Sequence, residues 1–212
     1  MSSTRKNKQE EEARALPPNK KKRRIVIGIT GGSGVIYGIR LLEVLKEVGD
    51  GLETHLIISP AGAVTIKAET DYGPNEVEKL AAKVYRFSDI AAPLASGSFN
   101  FESMVVIPCS MHTLGAIASG LADNLLVRAA EVALKEKHRL ILVPRETPLT
   151  LIHLENMVKV AQAGAIVVPA MPAFYERPKS IDDIVNHLVG KTLDLLGIEN
   201  ELFKRWKGMP NT

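Results

Sequence analysis

Leu140-Ile141-Leu142-Val143-Pro144-Arg145-Glu146-Thr147-Pro148-Leu149 is the stretch from which the fold is read. Its apolar run makes a short buried strand, Pro144 ends it, and an Arg-Glu pair follows before Pro148 stiffens the turn. Charged groups just past the carboxyl end of a buried parallel strand lie where open α/β sheets hold their ligands. Taken alone, Arg145-Glu146 is more simply a surface ion pair. Four other strand ends in the chain carry equally unusual chemistry, and that favours the ligand-facing reading.

Working outward, five apolar, β-branched runs predict strands at Ile25–Ile29, His55–Ile58, Met104–Ile107, Leu140–Val143 and Ala165–Val168. Helical patterns fill the intervals at Val35–Val48, Ala61–Lys83, Thr113–Lys137 and Thr150–Ala163. A last helix runs from its cap at Ser180 to Leu196, with Asp182 and Asp183 in its first turn and Gly197 at its end. Strands apolar on both faces, each followed by a helix, imply a mainly parallel sheet with helices on both sides. Residues 25–197 therefore read as one doubly wound α/β domain, followed by a C-terminal segment, 198–212, that docks at the site or on a neighbouring subunit.

The charge is unevenly spread. Met1 to Arg24 hold nine Lys/Arg against three Glu, a net of +6 where the whole chain is +3, so residues 25–212 are net −3. The basicity thus belongs to a solvated N-terminal extension, poor in apolar residues, rather than to a nucleic-acid-binding body. One cysteine, Cys109, rules out an internal disulfide and fits a reducing, cytoplasmic compartment. No apolar run reaches the ~20 residues that span a bilayer, so no membrane partner is expected.

After the first strand, Gly31-Gly32-Ser33-Gly34 either lets backbone approach a phosphate at a helix N-terminus or serves tight packing. It fits neither the dinucleotide fingerprint nor a Walker motif, and Val35 stands where a hydrolase elbow needs glycine. Ser59 ends the second strand as a helix cap or a ligand donor. Glu69, closing the next helix, opposes the helix dipole, a broken local rule of the kind found at functional sites. Ser110, Met111, His112 and Thr113 offer hydroxyls and amides to a heterocycle or phosphate, whereas Cys109 is by default a small buried thiol. Arg128 and Lys135, seven apart on one helix, share a face that is an anion site or a solvated surface. Tyr175 and Arg177 stand on a proline-stiffened loop, and the lone tryptophan, Trp206, marks a docking C-terminal segment. No residue spacing suggests a metal.

Gly28-Ile29-Thr30-Gly31-Gly32-Ser33-Gly34, Ala95-Ser96-Gly97-Ser98, Pro108-Cys109-Ser110, Pro144-Arg145-Glu146-Thr147-Pro148 and Pro172-Ala173-Phe174-Tyr175, in this order, resemble the UbiX/Pad1 flavin prenyltransferase family. The resemblance runs from Ile25 to about Trp206 and implies a Rossmann-like or flavodoxin-like fold. It also implies transfer of a dimethylallyl group from dimethylallyl phosphate to reduced FMN, at N5 and then C6. The product, prenylated FMN, serves UbiD-type decarboxylases, including those of ubiquinone biosynthesis, and no metal is expected. Gly31, Gly32, Ser33, Ser59 and Ser110 to Thr113 match flavin-binding segments, and Arg128 matches the flavin-phosphate contact. Lys135, Arg145 and Tyr175 match residues holding the donor phosphate. Lys191 stands where the family has an arginine, keeping the charge but losing the planar fork. Ser33, Glu69, Glu146 and Lys135 match catalytic groups, and Trp206 an aromatic at the site edge. A homo-oligomer, a dodecamer with sites at subunit interfaces, is implied as well. Two rival readings are an FMN-dependent peptidyl-cysteine decarboxylase, whose Asn-containing signatures are missing here, and a non-catalytic flavin carrier.

Overall fold

Strands whose side chains alternate between two apolar layers build the centre of the molecule. The computed structural model describes residues 22–49, 51–206 and 208. Its strands are β1 (Arg23–Ile29), β2 (Leu52–Ile58), β3 (Lys83–Tyr85), β4 (Ser103–Cys109), β5 (Arg139–Pro144) and β6 (Ile166–Val167). All pair in parallel, in the order β3-β2-β1-β4-β5-β6. Ile25, Ile27 and Ile29 of β1 enter one core with Val105 and Ile107, whereas Val26 enters the other with Met104 and Val106. Burial on both faces is what lets these strands read as unbroken apolar runs.

Helices α1 (Val35–Val48), α2 (Pro60–Glu69), α3 (Pro74–Glu78) and α7 (Ile181–Leu195) contribute to the first core. Helices α4 (Met111–Ser119), α5 (Leu125–Lys135) and α6 (Leu151–Gln162) contribute to the second. The doubly wound α/β class expected from the sequence is the one observed. Strand order reverses between β1 and β4, and the crevice outside their carboxyl ends is where such sheets bind ligands.

Several expected boundaries need correction. The helix expected over Ala61–Lys83 is two, because Thr70 is extended and Gly73-Pro74 restarts the chain with a proline at the first helical position. Its last residue belongs instead to β3, an edge strand too short and too exposed to leave a hydrophobic pattern. Pairing with His55–Ile57 and a 2.9 Å hydrogen bond between the Tyr85 hydroxyl and His55 Nδ1 hold it. The helix expected over Thr113–Lys137 also divides. Gly120, at φ 68°, closes α4, and Asn124 starts α5 by accepting from the Val127 amide at 3.0 Å. The fifth strand shrinks to Ile166–Val167.

At the amino end, β1 begins two residues before the expected Ile25. Arg23 binds Glu102 through Nε at 2.7 Å, and the Arg24 guanidinium lies 4.8 Å from the Phe99 ring centre. Of the basic extension expected over residues 1–24, residues 1–21 lie outside the described residues. No described helix is long and apolar enough to cross a membrane.

Helix α1 lies close against β4 at Gly38, where a Cβ would collide with the Ile107 carbonyl oxygen and sit 3.1 Å from Ile29 Cδ1. Helix propensity alone favours alanine over glycine by about 1 kcal/mol. Overpacking against a strand backbone outweighs it, so Gly38→Ala should destabilise the fold by about 2–3 kcal/mol in urea unfolding. A stabilised variant would contradict the close approach.

Candidate functional site

The crevice starts from one buried hydroxyl. Thr30, 1% exposed, donates its side-chain proton to the Pro108 carbonyl at 2.7 Å and accepts from the Ser110 amide at 2.8 Å. These bonds tie the turn after β1 to the turn after β4. Between Thr30 and α1 runs Gly31-Gly32-Ser33-Gly34. A Cβ on Gly31 would meet Ala61 Cβ at 2.5 Å, and Gly34 adopts φ 96°, a left-handed conformation that favours glycine.

The amides at the start of α1 are taken by the protein's own carboxylate. Glu69 Oε2 accepts from Gly34 N at 2.7 Å and from Val35 N at 3.4 Å. The acid that opposes the dipole of α2 therefore sits at the favourable end of α1. The glycine turn packs tightly, and Glu69 meets the amides at the start of its helix.

Ser59 is a cap, accepting from Gly62 N at 3.0 Å, and Ser110 accepts from Thr113 N at 3.3 Å while donating to Thr113 Oγ1 at 3.1 Å. Both still face the crevice end of the sheet from the starts of α2 and α4, with Met111 half-buried and His112 exposed beside them. Cys109 is fully buried, and desolvation pushes its thiol up to about 12, so it stays protonated and unreactive at neutral pH.

Arg145 and Glu146 follow β5. Arg145 Nε donates to the Ser33 carbonyl at 3.2 Å, joining the end of β5 to the glycine turn, and Glu146 Oε1 accepts from the Thr147 amide at 2.9 Å. Both line a cavity of about 270 Å³ with Leu149, Met157, Met171 and Pro172 among its other walls. A larger open concavity, about 1230 Å³, runs beneath the C-terminal segment between Glu176, Asp194 and Trp206, and it contains none of the strand-end residues.

Arg128 and Lys135 do share a face, and that face looks onto the segment after the 3-10 turn Pro93–Ala95. Arg128 Nε donates to the Ala95 carbonyl at 3.1 Å and pairs with Glu131, while Lys135 pairs with Glu136 beside Gly97. Lys135 precedes β5 and Arg145 follows it, so within one chain the two cations stand at opposite ends of that strand.

Tyr175, Lys191 and Trp206 gather on α7. The Tyr175 hydroxyl lies 3.0 Å from His187 Nε2, and its ring meets those of His187 and Trp206 edge-on at 5.6 and 5.9 Å. Lys191 is one turn beyond His187 on the same helix. Arg205 forks onto Asp194 at 2.7 and 2.9 Å and fastens the C-terminal segment. His187 was missed in the sequence because a histidine inside an amphipathic helix gives no local sign of a tyrosine twelve residues upstream. Arg177, at φ 53°, projects from the same loop without joining the cluster. Among the described residues no group of three metal-ligating side chains occurs.

A flavoprotein family model matches residues 13–193. The flavin prenyltransferase UbiX of Methanocaldococcus jannaschii is 54% identical over 183 residues, 86% of this chain and 98% of that protein. The mitochondrial flavin prenyltransferase PAD1 of Saccharomyces cerevisiae is 52% identical over 186 residues, 88% of this chain and 76% of that one. Among solved structures, AnUbiX (PadA1) in complex with FMN and dimethylallyl pyrophosphate superposes with a TM-score of 0.87 at 48% identity, covering 90% of this chain and 100% of that chain. A dodecameric FMN-dependent UbiX-like decarboxylase from Escherichia coli O157:H7 gives 0.85 at 46%, covering 87% and 100%.

Replacing Glu69 with alanine removes an exposed charge from a helix N-terminus, a loss of about 1 kcal/mol, which should lower the melting temperature by roughly 2–4 °C. Glu69→Gln, which keeps an acceptor, should lose less; equal losses would separate Glu69 from α1 capping. The Arg205 guanidinium holds the Asp194 carboxyl below its ordinary value of 3.8, so this ion pair contributes fully above that value and is lost as pH falls through the depressed one. Trp206 emission of the flavin-free protein should therefore shift to longer wavelength under strong acid. Asp194→Asn should give the same shift at neutral pH.

Proposed function

This chain belongs to the flavoprotein family and, within it, to the UbiX/PAD1 flavin prenyltransferases, and on that premise we propose that it joins a dimethylallyl group to reduced FMN. The donor is dimethylallyl phosphate, the acceptor atoms are N5 and then C6, and the prenylated FMN made goes to a UbiD-type decarboxylase. The observation that carries the reading is the Arg145–Ser33 hydrogen bond, which sets a cation and its neighbouring acid against the turn at the strand-order reversal.

The crevice suits a flavin. A Cβ on Gly32 would stand in van der Waals contact with Pro108 Cβ at 3.4 Å and Ser110 Cα at 3.7 Å, so position 32 lies on the floor between the two turns. In this reading Gly31, Gly32, Ser33, Ser59 and the Ser110-Met111-His112-Thr113 turn hold the ring and ribityl chain, and Arg128 takes the flavin phosphate. Reduced FMN supplies the nucleophile.

Breaking the allylic C–O bond leaves negative charge on the departing phosphate. Lys135, Arg145, Tyr175 and Lys191 stabilise that charge as it develops, and preorganised donors in a crevice are worth most at that moment. Glu146, aimed by the Thr147 amide, gives the phosphate a proton. Closure at C6 needs a proton added to the prenyl double bond, which makes its tertiary carbon electrophilic, and the loss of one from C6; Ser33 and Glu69 would relay these protons, Glu69 keeping Oε1 for this while Oε2 is held by α1. Trp206 offers an electron-rich face at the site edge to the allyl cation.

Lys135 and Arg145 reach one phosphate only if they come from different copies. Strand β5 is six residues long, so its ends are separated by roughly 17 Å at 3.3 Å per residue. A homo-oligomer with the donor phosphate between copies accommodates both, and the similarity to a dodecameric UbiX-like protein supports a closed assembly of this kind.

Glu146→Gln and Lys135→Ala should each bind FMN yet lose prenylated product by 100-fold or more, on the order expected for a general acid or a charge stabiliser. Mass spectrometry of the flavin and its absorption spectrum read this directly, and normal transfer by both variants would overturn the assigned roles. Lys135→Ala and Arg145→Ala, refolded together, should regain part of the activity that each lacks alone. Failure of every mixed assembly to recover would return both residues to one copy's site.

A further inference from the structure

His187 stands outside every role assigned above, yet it is the partner of Tyr175. Its Nε2 is 3.0 Å from the phenolic oxygen, and its ring is fixed from both sides, edge-on to Tyr175 at 5.6 Å and to Phe203 at 4.8 Å. Trp206 closes on the other edge of Tyr175 at 5.9 Å. The phenol is thus held in one orientation, although 46% of Tyr175 remains exposed.

A phenol has one proton and can accept as well as donate. If the proton goes to His187, nothing remains to donate to a phosphate. If Nε2 carries the hydrogen, the phenolic oxygen accepts from it and the phenol proton points elsewhere. The 3.0 Å contact accommodates either tautomer of the ring, and the Nε2–H form is the one that leaves the phenol proton free. Lys191, at i+4 on α7, lies on the same face of that helix as His187.

We propose that His187 is a positioning residue for prenyl transfer: it donates through Nε2 to the Tyr175 oxygen and thereby releases the Tyr175 proton for the donor's phosphate. The inference rests on the flavin prenyltransferase reading. The charged groups around the imidazole are Lys191 on α7, Glu176 on the preceding loop and Arg205, whose guanidinium lies over Phe203. Burial, helped by Lys191 and opposed by Glu176, holds the imidazole below its ordinary pKa. It is therefore neutral at pH 7, with a single N–H to place.

The test is a double-mutant cycle on the full chain with reduced FMN and dimethylallyl monophosphate. His187→Phe keeps a ring against Tyr175 and Phe203 but has no Nε2, whereas His187→Gln puts an amide N–H near the same point. His187→Phe should lower kcat/KM for the donor roughly tenfold, the scale of one hydrogen bond, with FMN affinity and melting temperature unchanged. His187→Gln should restore most of the loss. In a Tyr175→Phe background, His187→Phe should have no further effect. Wild-type activity in His187→Phe, or an equal loss in the Tyr175→Phe background, overturns the positioning role and leaves the prenyl-transfer reading standing. A wild-type protein that binds FMN but forms no prenylated flavin overturns both.

Discussion

The site depends on how far apart the carboxyl ends of β1 and β4 are held. At a strand-order reversal the following helices leave on opposite faces of the sheet, so nothing in the ladder itself fixes the gap above the strands. Thr30 fixes it here by serving Pro108 and Ser110 at once, from a position with almost no solvent exposure. A buried hydroxyl satisfied in both directions resists displacement, because losing either partner leaves a polar group stranded. The glycine turn, Ser33 and the capped start of α4 are all positioned relative to that clamp.

A second constraint is electrostatic. The N-termini of α1, α2 and α4 all point toward the crevice, and each brings unpaired amides and partial positive charge. Ser59 and Ser110 satisfy amides at α2 and α4 without adding charge, whereas Glu69 brings a full negative charge to α1. The partial positive charge of one helix end is thereby offset by Glu69, while α2 and α4 keep theirs behind neutral hydroxyl caps. A carboxylate fixed this way stays at the start of α1, next to the glycine turn that carries Ser33.

The central sheet was legible because Ile25–Ile29, Met104–Ile107 and Leu140–Val143 are buried on both faces, and burial on both faces leaves continuous apolar runs in the sequence. Helix α1 was legible to the residue, since its pattern is bounded by glycines on either side. Edge strand β3 was not, because Lys83-Val84-Tyr85 owes its conformation to pairing and to His55 rather than to its own composition. The breaks at Gly73-Pro74 and at Gly120 to Asn124 carried ordinary stop and start signals, overridden by helix-forming residues on each side. Within the site, Arg145 and Glu146 announced themselves by position. Glu69 showed only as an acid at the wrong end of a helix, and its partner amides 35 residues earlier could come from the fold alone.

The side chains for which one function is proposed lie on different surfaces of the chain. Arg128 and Lys135 face the Ala95–Gly97 segment, Arg145 and Glu146 line the cavity after β5, and Tyr175 leans on His187 of α7, the helix that carries Lys191. Large apolar side chains are exposed between these groups: Leu151, Ile152 and Val158 on α6, and Met171 and Phe174 on the following loop, at 55–70%. Scattered exposed leucines require no explanation, but several on one helix and the loop beside the cavity form a face that water does not favour. Packing of copies across that face would remove it from water and bring one copy's cations toward another's strand ends. On the prenyl-transfer reading proposed above, the same contact would supply both the hydrophobic drive for assembly and the charges a donor phosphate would need, each copy contributing part of the site.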